Sequence, residues 1–388
     1  MATTAQLNID SPQERMMIFG SFGYGNVGDE AVPMAFQQLL VDAESEGSVV
    51  PVSRFKSADM DGVVYTTPDK NPLISEAVGK PITLCGGGIV EPGKFSCLRR
   101  LFEQQKLYGK LDIRAFAVSA DHSTDYSFLE RRLVRRALGS LPRVHARDDC
   151  SQEVLSKLLP ATPVTLVGDI ALNLRRSGSL PEKLEQKLPE RFLCVTLAAI
   201  RRDEEFLSWL GDAIVALAEK LDAAVVMAPM STLRGDDVKQ HLDFAKRIQE
   251  KNSALEVVPV FCEQRLIQPE VFAEVLARSI LNVSTRLHGC VSGYPQETPF
   301  VAITYHPKVF GFARTVGGLD FMVPARRPQT QPGWSRRGGR RRSQETGRAT
   351  PRRVVNLRKV NFWRKASRLG SPQALRRLST SSGARSGR

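Results

Sequence analysis

The sequence predicts two α/β lobes, each built on a parallel sheet wound in both directions, followed by a disordered basic tail. Three observations lead there. At 388 residues the chain exceeds what one hydrophobic core usually serves, so two domains are expected. From residue 16 to about 324, short β-branched runs alternate with stretches of helical periodicity, as in open parallel sheets covered by helices. That alternation pauses over 174–190, a polar, charged segment holding Pro181 and Pro189, and then restarts.

In the first half the expected strands are 16–19, 49–53, 62–66, 81–85, 113–119, 143–146 and 164–168. Amphipathic helices are expected over 32–40, 97–108, 126–138 and 151–158. In the second half, strands are expected at 192–197, 223–227, 255–260, 279–283 and 299–305, with helices over 206–221, 238–251 and 270–277. The resulting division is an N-terminal extension 1–15, an acceptor-side lobe 16–173, a linker 174–190, a donor-binding lobe 191–324 and a tail 325–388. Two Rossmann-like lobes joined in this way form a GT-B-like architecture, in which ligand lies in the crevice at the carboxyl ends of the strands.

Composition narrows the class. Hydrophobic residues make up 42% and charged residues 25%, ordinary for a soluble globular protein. The six cysteines form no C-x-x-C pair and no Cys/His cluster, which argues against a disulfide framework or a structural zinc and fits a reducing compartment. Residues 1–15 lack the apolar core of a signal peptide, and no apolar run is long enough to span a bilayer. A cytoplasmic protein is the expectation.

The net charge of +14 is unevenly placed. Residues 325–388 hold 19 of the 55 Lys and Arg but a single carboxylate, Glu345, so 1–324 carry 36 basic against 40 acidic residues. The lobes are therefore mildly acidic, and the charge says nothing of their chemistry. Beyond Pro324 apolar periodicity stops, and runs such as Arg336–Arg342 predict disorder through self-repulsion. Three readings of this tail stand side by side: a solvated appendage, an RNA- or membrane-binding arm, or the product of a broken reading frame near Pro324.

Four motifs lie at expected strand ends. The loop from Gly20 to Glu30 (GSFGYGNVGDE) joins the first strand to the first helix. Its Gly23, Gly25 and Gly28 satisfy the dinucleotide spacing, but the second strand ends in Val52-Ser53-Arg54 without the acidic residue a ribose would need. Asp29 and Glu30 would also repel a pyrophosphate there. The loop reads either as a structural turn with an acidic helix start or as a backbone cradle for a sugar, with Asp29 or Glu30 accepting a hydroxyl proton. Gly86-Gly87-Gly88, after Cys85, is either a tight turn or a place where backbone approaches a ligand.

Arg147 precedes Asp148 and Asp149 at the end of strand 143–146, where its fork either grips an anion or pairs with one of those carboxylates. Arg286 and His288 follow strand 279–283 at the turn into a helix, where side chains and backbone N–H groups converge on an anion. Histidine is the side chain suited to proton transfer near neutral pH. Tyr305-His306-Pro307-Lys308 occupies the equivalent end of the next unit.

In order and spacing, Gly25–Glu30 (Gly-Asn-x-Gly-Asp-Glu, with Asn26 second), Gly86–Gly88, Arg286–His288 and Tyr305–Lys308 resemble the polysaccharide pyruvyl transferase family, over residues 16 to about 323. The resemblance implies transfer of a carboxyvinyl unit from phosphoenolpyruvate to sugar hydroxyls. The product is a pyruvate ketal on a cell-surface polysaccharide or its lipid-linked precursor. By that resemblance Arg147, Arg286 and Lys308 hold the phosphate and carboxylate of the donor, and His288 protonates its enol carbon. Asp29 is the candidate base for the acceptor, beside the loop residues Gly25, Asn26, Gly28, Glu30, Gly86, Gly87 and Gly88. No metal or dinucleotide is required; phosphoenolpyruvate is a co-substrate. Partners would be that donor, a glycan or lipid-linked sugar, and the inner face of the membrane, with no specific nucleic acid. Two other functions remain: a nucleotide-sugar glycosyltransferase on the same architecture, and an RNA-binding protein acting through its tail.

Overall fold

The computed structural model describes residues 15–42, 48–52, 81–93, 98–99, 112–122, 125–198, 204–232, 236–304 and 306–324. The strand expected at 62–66, most of the helix expected over 97–108, Tyr305, Cys97 and the 325–388 tail lie outside these residues.

The first sheet contains β1 (Arg15–Phe19), β2 (Ser48–Val52), β3 (Pro81–Val90), β4 (Asp112–Ala120), β5 (Val144–Ala146) and β6 (Val164–Leu166). Its order is β2-β1-β3-β4-β5-β6, and every pairing is parallel. The second sheet contains β7 (Phe192–Thr196), β8 (Ala224–Met227), β9 (Val257–Pro259), β10 (Leu281–Ser284), β11 (Phe300–Thr304) and β12 (Met322–Pro324). It runs β12-β11-β10-β7-β8-β9, again all parallel. The GT-B-like pair of parallel α/β lobes expected from the sequence is what forms.

Each sheet reverses its winding once, between β1 and β3 in the first and between β7 and β10 in the second. At such a point the loops leaving adjacent strands diverge and open a crevice at the carboxyl edge. Motif-bearing loops follow β1 and β10, the strands beside these two points.

The described helices are α1 (Val27–Asp42), α2 (Phe128–Leu138), α3 (Asp149–Leu158), α4 (Glu182–Glu185), α5 (Glu204–Leu221), α6 (Asp236–Lys251), α7 (Pro269–Arg278), α8 (Leu287–Gly293) and α9 (Pro307–Thr315). Helix α1 begins five residues before the expected 32, because Asn26 Oδ1 accepts the Gly28 N–H at 3.1 Å and caps it. The 174–190 segment is more structured than its polarity implies. It contains α4, and Leu184 enters the core under the second sheet.

The lobes share apolar packing. One cluster runs from Ile18, Phe22, Val32 and Ala35 of the first lobe to Ala273, Leu287, Val291 and Phe312 of the second. At about 1.5–3 kcal/mol for each large side chain buried, this contact resists opening. Backbone joins it: Val27 N donates to Met230 O at 2.8 Å, and Asn26 bridges to Ser231.

Candidate active site

The loop after β1 is shaped by its own carboxylate. Glu30 is fully buried, and its Oε1 accepts N–H groups from Gly23 at 2.9 Å and Gly25 at 3.0 Å. Gly23 and Gly25 both take positive φ, which lets those two N–H groups converge on one oxygen. Glu30 thus braces the loop from within, and the two acidic neighbours that the sequence left equivalent are distinct. Asp29 is the one that faces the site.

Gly86–Gly88 do not end a strand, as the sequence predicts. They form a bulge inside β3, with register shifts against β4 between Cys85 and Gly86 and between Gly86 and Val90. The bulge turns Gly87 toward the site: a Cβ there would lie 3.3 Å from Arg147 Nη1 and 3.9 Å from Asp29 Oδ1. Gly88 lies beside Ser21 and Glu91.

Arg147, only 5% exposed, follows β5. Its Nε pairs with Asp148 Oδ2 at 3.1 Å and lies 3.8 Å from Asp169 Oδ2, so the salt bridge and the site-facing position coexist. Those pairs engage Nε, and Nη1 is turned to Gly87. Asp169 also caps the short turn Ile170–Asn173 through Ala171 N and stands 3.7 Å from His288 Nε2. His288 reaches in from α8. A Cβ at Gly28 would lie 2.0 Å from His288 Cγ and 2.1 Å from its Nδ1, so glycine is what allows the two lobes to meet there.

Arg286 caps the approach to α8, and its guanidinium pairs with buried Asp237 at the start of α6. Its Nε is buried without a hydrogen-bond partner, a donor available to an incoming acceptor. Asp237 is itself positioned by His241, whose Nδ1 lies 2.6 Å from Asp237 O and whose Nε2 accepts the Leu197 N–H at 3.0 Å. That arrangement requires a neutral ring, and burial accordingly lowers the His241 pKa to about 4. Lys308, in the first turn of α9, faces the same space.

The electrostatics interlock. Burial raises the Asp29 carboxyl from 3.8 to about 6, against the pull of Lys308, Arg286 and Arg147. Burial lowers the Lys308 ammonium, opposed by Asp29. His288 is pushed well below its ordinary value, first by burial and then by Arg147, Lys308 and Arg286. Burial also raises Asp169, opposed by Arg147. All five predicted chemical residues therefore meet in one place: Asp29, Arg147, Arg286, His288 and Lys308 act on one another electrostatically.

Residues 26–307 match the family model for polysaccharide pyruvyl transferases. The chain belongs to that family. The match begins at Asn26 and ends at Pro307, spanning Asp29, Arg147, Arg286 and His288 and stopping one residue short of Lys308. A search among curated proteins finds no match. Among solved structures, S. aureus MnaA in its UDP co-structure superposes with a TM-score of 0.51 at 12% identity, covering 80% of this chain and 83% of that one. The Methanocaldococcus jannaschii UDP-GlcNAc 2-epimerase (TM-score 0.49, 10% identity, 80% and 88% covered) is similar in outline. So is a glycosyltransferase from Rickettsia africae (TM-score 0.49, 11% identity, 81% and 84% covered). At such identity the likeness to MnaA concerns the fold alone.

In this pyruvyl transferase, Asp169 and Asp237 join Asp148 in holding the cations of the site, and neither was among the residues expected from the sequence. Asp169 had a visible signal, since it follows strand 164–168 as Arg147 follows strand 143–146. Asp237 had none, because it lies in a charged stretch that reads as a solvated helix start. Among the described residues, no group of His, Cys, Asp and Glu is arranged to hold a metal ion, and no helix is long and apolar enough to cross a membrane.

Proposed function

We propose that the enzyme uses phosphoenolpyruvate to form a pyruvate ketal on two hydroxyls of a glycan or lipid-linked sugar, in the cytoplasm. The observation that supports this reading is the convergence of Arg147, Arg286 and Lys308 on His288 and Asp29, which follow β10 and β1, the strands beside which the winding of each sheet reverses. A donor carrying both phosphate and carboxylate needs several cations set apart, and the planar forks of Arg147 and Arg286 suit oxyanions.

His288 is the acid. In the free site it is neutral, held so by burial and three cations. A multiply charged anion among those cations reverses their effect, and His288 gains its proton as the donor binds. It then protonates the methylene carbon, and the carbon bearing phosphate becomes oxocarbenium-like. One sugar hydroxyl adds there, passing its proton to Asp29. The second hydroxyl adds as the carbon–oxygen bond to phosphate breaks. The methyl group takes its proton from His288, Asp29 releases the one it received to solvent and so offsets the proton His288 took up, and the second hydroxyl proton leaves on inorganic phosphate. Asp29, with a pKa of about 6, is ionised at neutral pH yet basic enough for this task.

The test is release of inorganic phosphate from phosphoenolpyruvate with a pyruvylated glycan as product. His288→Ala should lower turnover by about 10²–10⁴ while leaving donor affinity within about tenfold. Turnover near that of the unchanged enzyme anywhere between about pH 5 and 8 removes His288 as the acid. Release of nucleotide from a sugar nucleotide, with none of phosphate from phosphoenolpyruvate, favours the glycosyltransferase reading instead.

A further inference from the structure

Helix α2 carries an unusual surface for a helix beside an active site. Its first two residues, Phe128 and Leu129, are 76% and 73% exposed, the highest values among the large hydrophobic side chains of the described residues. Its inner stripe is made by Val134, Ala137 and Leu138, which enter the first-lobe core. At 100° per residue, Phe128 and Leu129 fall on the opposite arc with Arg132 and Arg136, and exposed Arg135 lies at its edge, its Nε donating to Leu158 O at 3.0 Å. The result is an apolar tip continuous with three cations, Arg132, Arg135 and Arg136. Glu130, on the same turn, is engaged elsewhere: Oε2 accepts Ser127 N at 2.7 Å and Oε1 accepts Gly93 N at 2.8 Å.

Those bonds also fix where the tip lies. Gly93 follows β3, three residues beyond its end at Val90, and the Tyr126 hydroxyl sits 2.9 Å from Val90 O. Phe128 and Leu129 are therefore tied to the end of the bulged strand that presents Gly87 to the site, on the first lobe's carboxyl rim. They are placed rigidly: Ser127 and Glu130 complete a capping box, and Arg131 Nε donates to Tyr126 O at 2.8 Å.

We propose that the α2 face Phe128-Leu129-Arg132-Arg135-Arg136 is a docking surface for an anionic phospholipid bilayer. The charge chooses the occupant. Guanidinium groups in a row match a surface of lipid phosphates, and a rigid aromatic–aliphatic pair enters the boundary between headgroups and acyl chains. A single short face of this kind gives reversible attachment, the mode suited to an enzyme that meets its acceptor on a membrane and its donor in water. This deepens the proposed function by naming where a lipid-linked acceptor is met. The test uses no transfer reaction, so it can fail while that function stands.

Full-length Phe128→Trp is mixed with phosphatidylcholine vesicles, with and without phosphatidylglycerol, and its emission compared with that of the unchanged chain, which has three tryptophans. The expected result is a blue shift of the added emission with phosphatidylglycerol and quenching by brominated acyl chains. Phe128→Ser with Leu129→Ser should lower vesicle affinity about tenfold or more. Co-sedimentation with the emission of the introduced tryptophan unshifted means binding through the cations of 325–388 and overturns the proposal. So does a concentration-dependent dimer that the double serine variant abolishes, since the face would then join two copies of the chain.

Discussion

Asp29→Asn should make the protein more stable and nearly inactive, and the gain in stability should itself depend on pH. Burial raises the Asp29 carboxyl from 3.8 to about 6 even with Lys308, Arg286 and Arg147 beside it. Each tenfold change in an ionisation constant is worth about 1.36 kcal/mol, so ionised Asp29 costs the folded state about 3 kcal/mol at neutral pH. Because the folded pKa lies above the unfolded one, the native protein holds the extra proton. Its stabilising contribution is complete below about pH 4 and is lost as pH rises through about 6. Asparagine mimics the neutral acid at every pH. The difference between variant and parent is therefore near zero at about pH 4, grows through about 6, and levels off above about 7 at roughly 2–3 kcal/mol. Thermal unfolding across this range reads it as a rise of several degrees in melting temperature at neutral pH. A variant no more stable than its parent at neutral pH, or a gain equal at all pH values, would show this picture of Asp29 to be wrong. Its carboxylate would then be solvated or fully compensated, and not held ready as a base.

Three other substitutions bear on the donor site. Lys308→Ala should weaken phosphoenolpyruvate binding by about 1.5–3 kcal/mol, roughly ten- to a hundredfold by calorimetry, with less effect on the acceptor. Arg286→Ala should do the same and also lower stability by about 3–5 kcal/mol, because it strips buried Asp237 of its guanidinium. Asp169→Asn keeps a side-chain oxygen for Ala171 N but removes the carboxylate 3.7 Å from His288 Nε2. Turnover should fall with donor affinity nearly unchanged. The loss of activity with rising pH should begin at lower pH, since imidazolium loses a neighbouring negative charge. An unshifted pH profile would make Asp169 a purely structural cap.

Much of this site was legible because parallel sheets deliver chemistry at strand ends. Arg147, Arg286 and His288 each follow an expected strand, and Lys308 stands where the next one gives way to a proline-led helix. The same rule applied to carboxylates finds Asp169 after Gly168. What the sequence hid depends on distant parts of the chain. Glycines 86–88 fit a tight turn as well as a bulge, and the strand beside them decides between the two. Asp237 looks solvated until α6 turns it inward against Arg286. Strand β12, three residues long, has no period to read, and its place at the sheet edge comes from pairing with β11. Glu30 and Asp29 are adjacent acids with opposite jobs. Their separation rests on which one the loop backbone can reach.

The proposed mechanism depends above all on His288 being neutral in the free site and becoming the acid when phosphoenolpyruvate fills it. Calorimetric titration of the full chain with phosphoenolpyruvate near neutral pH, in two buffers of different ionisation enthalpy, reads this without knowledge of the acceptor. Binding should be accompanied by net uptake of about one proton, because the anion offsets the cations that add to burial in holding His288 deprotonated. With Asp29→Asn in place, so that the carboxyl beside the same cations takes up no proton, His288→Ala should retain binding and lose most of that uptake. Phosphoenolpyruvate binding with identical heats in both buffers, or binding of a sugar nucleotide with none of phosphoenolpyruvate, would overturn the mechanism.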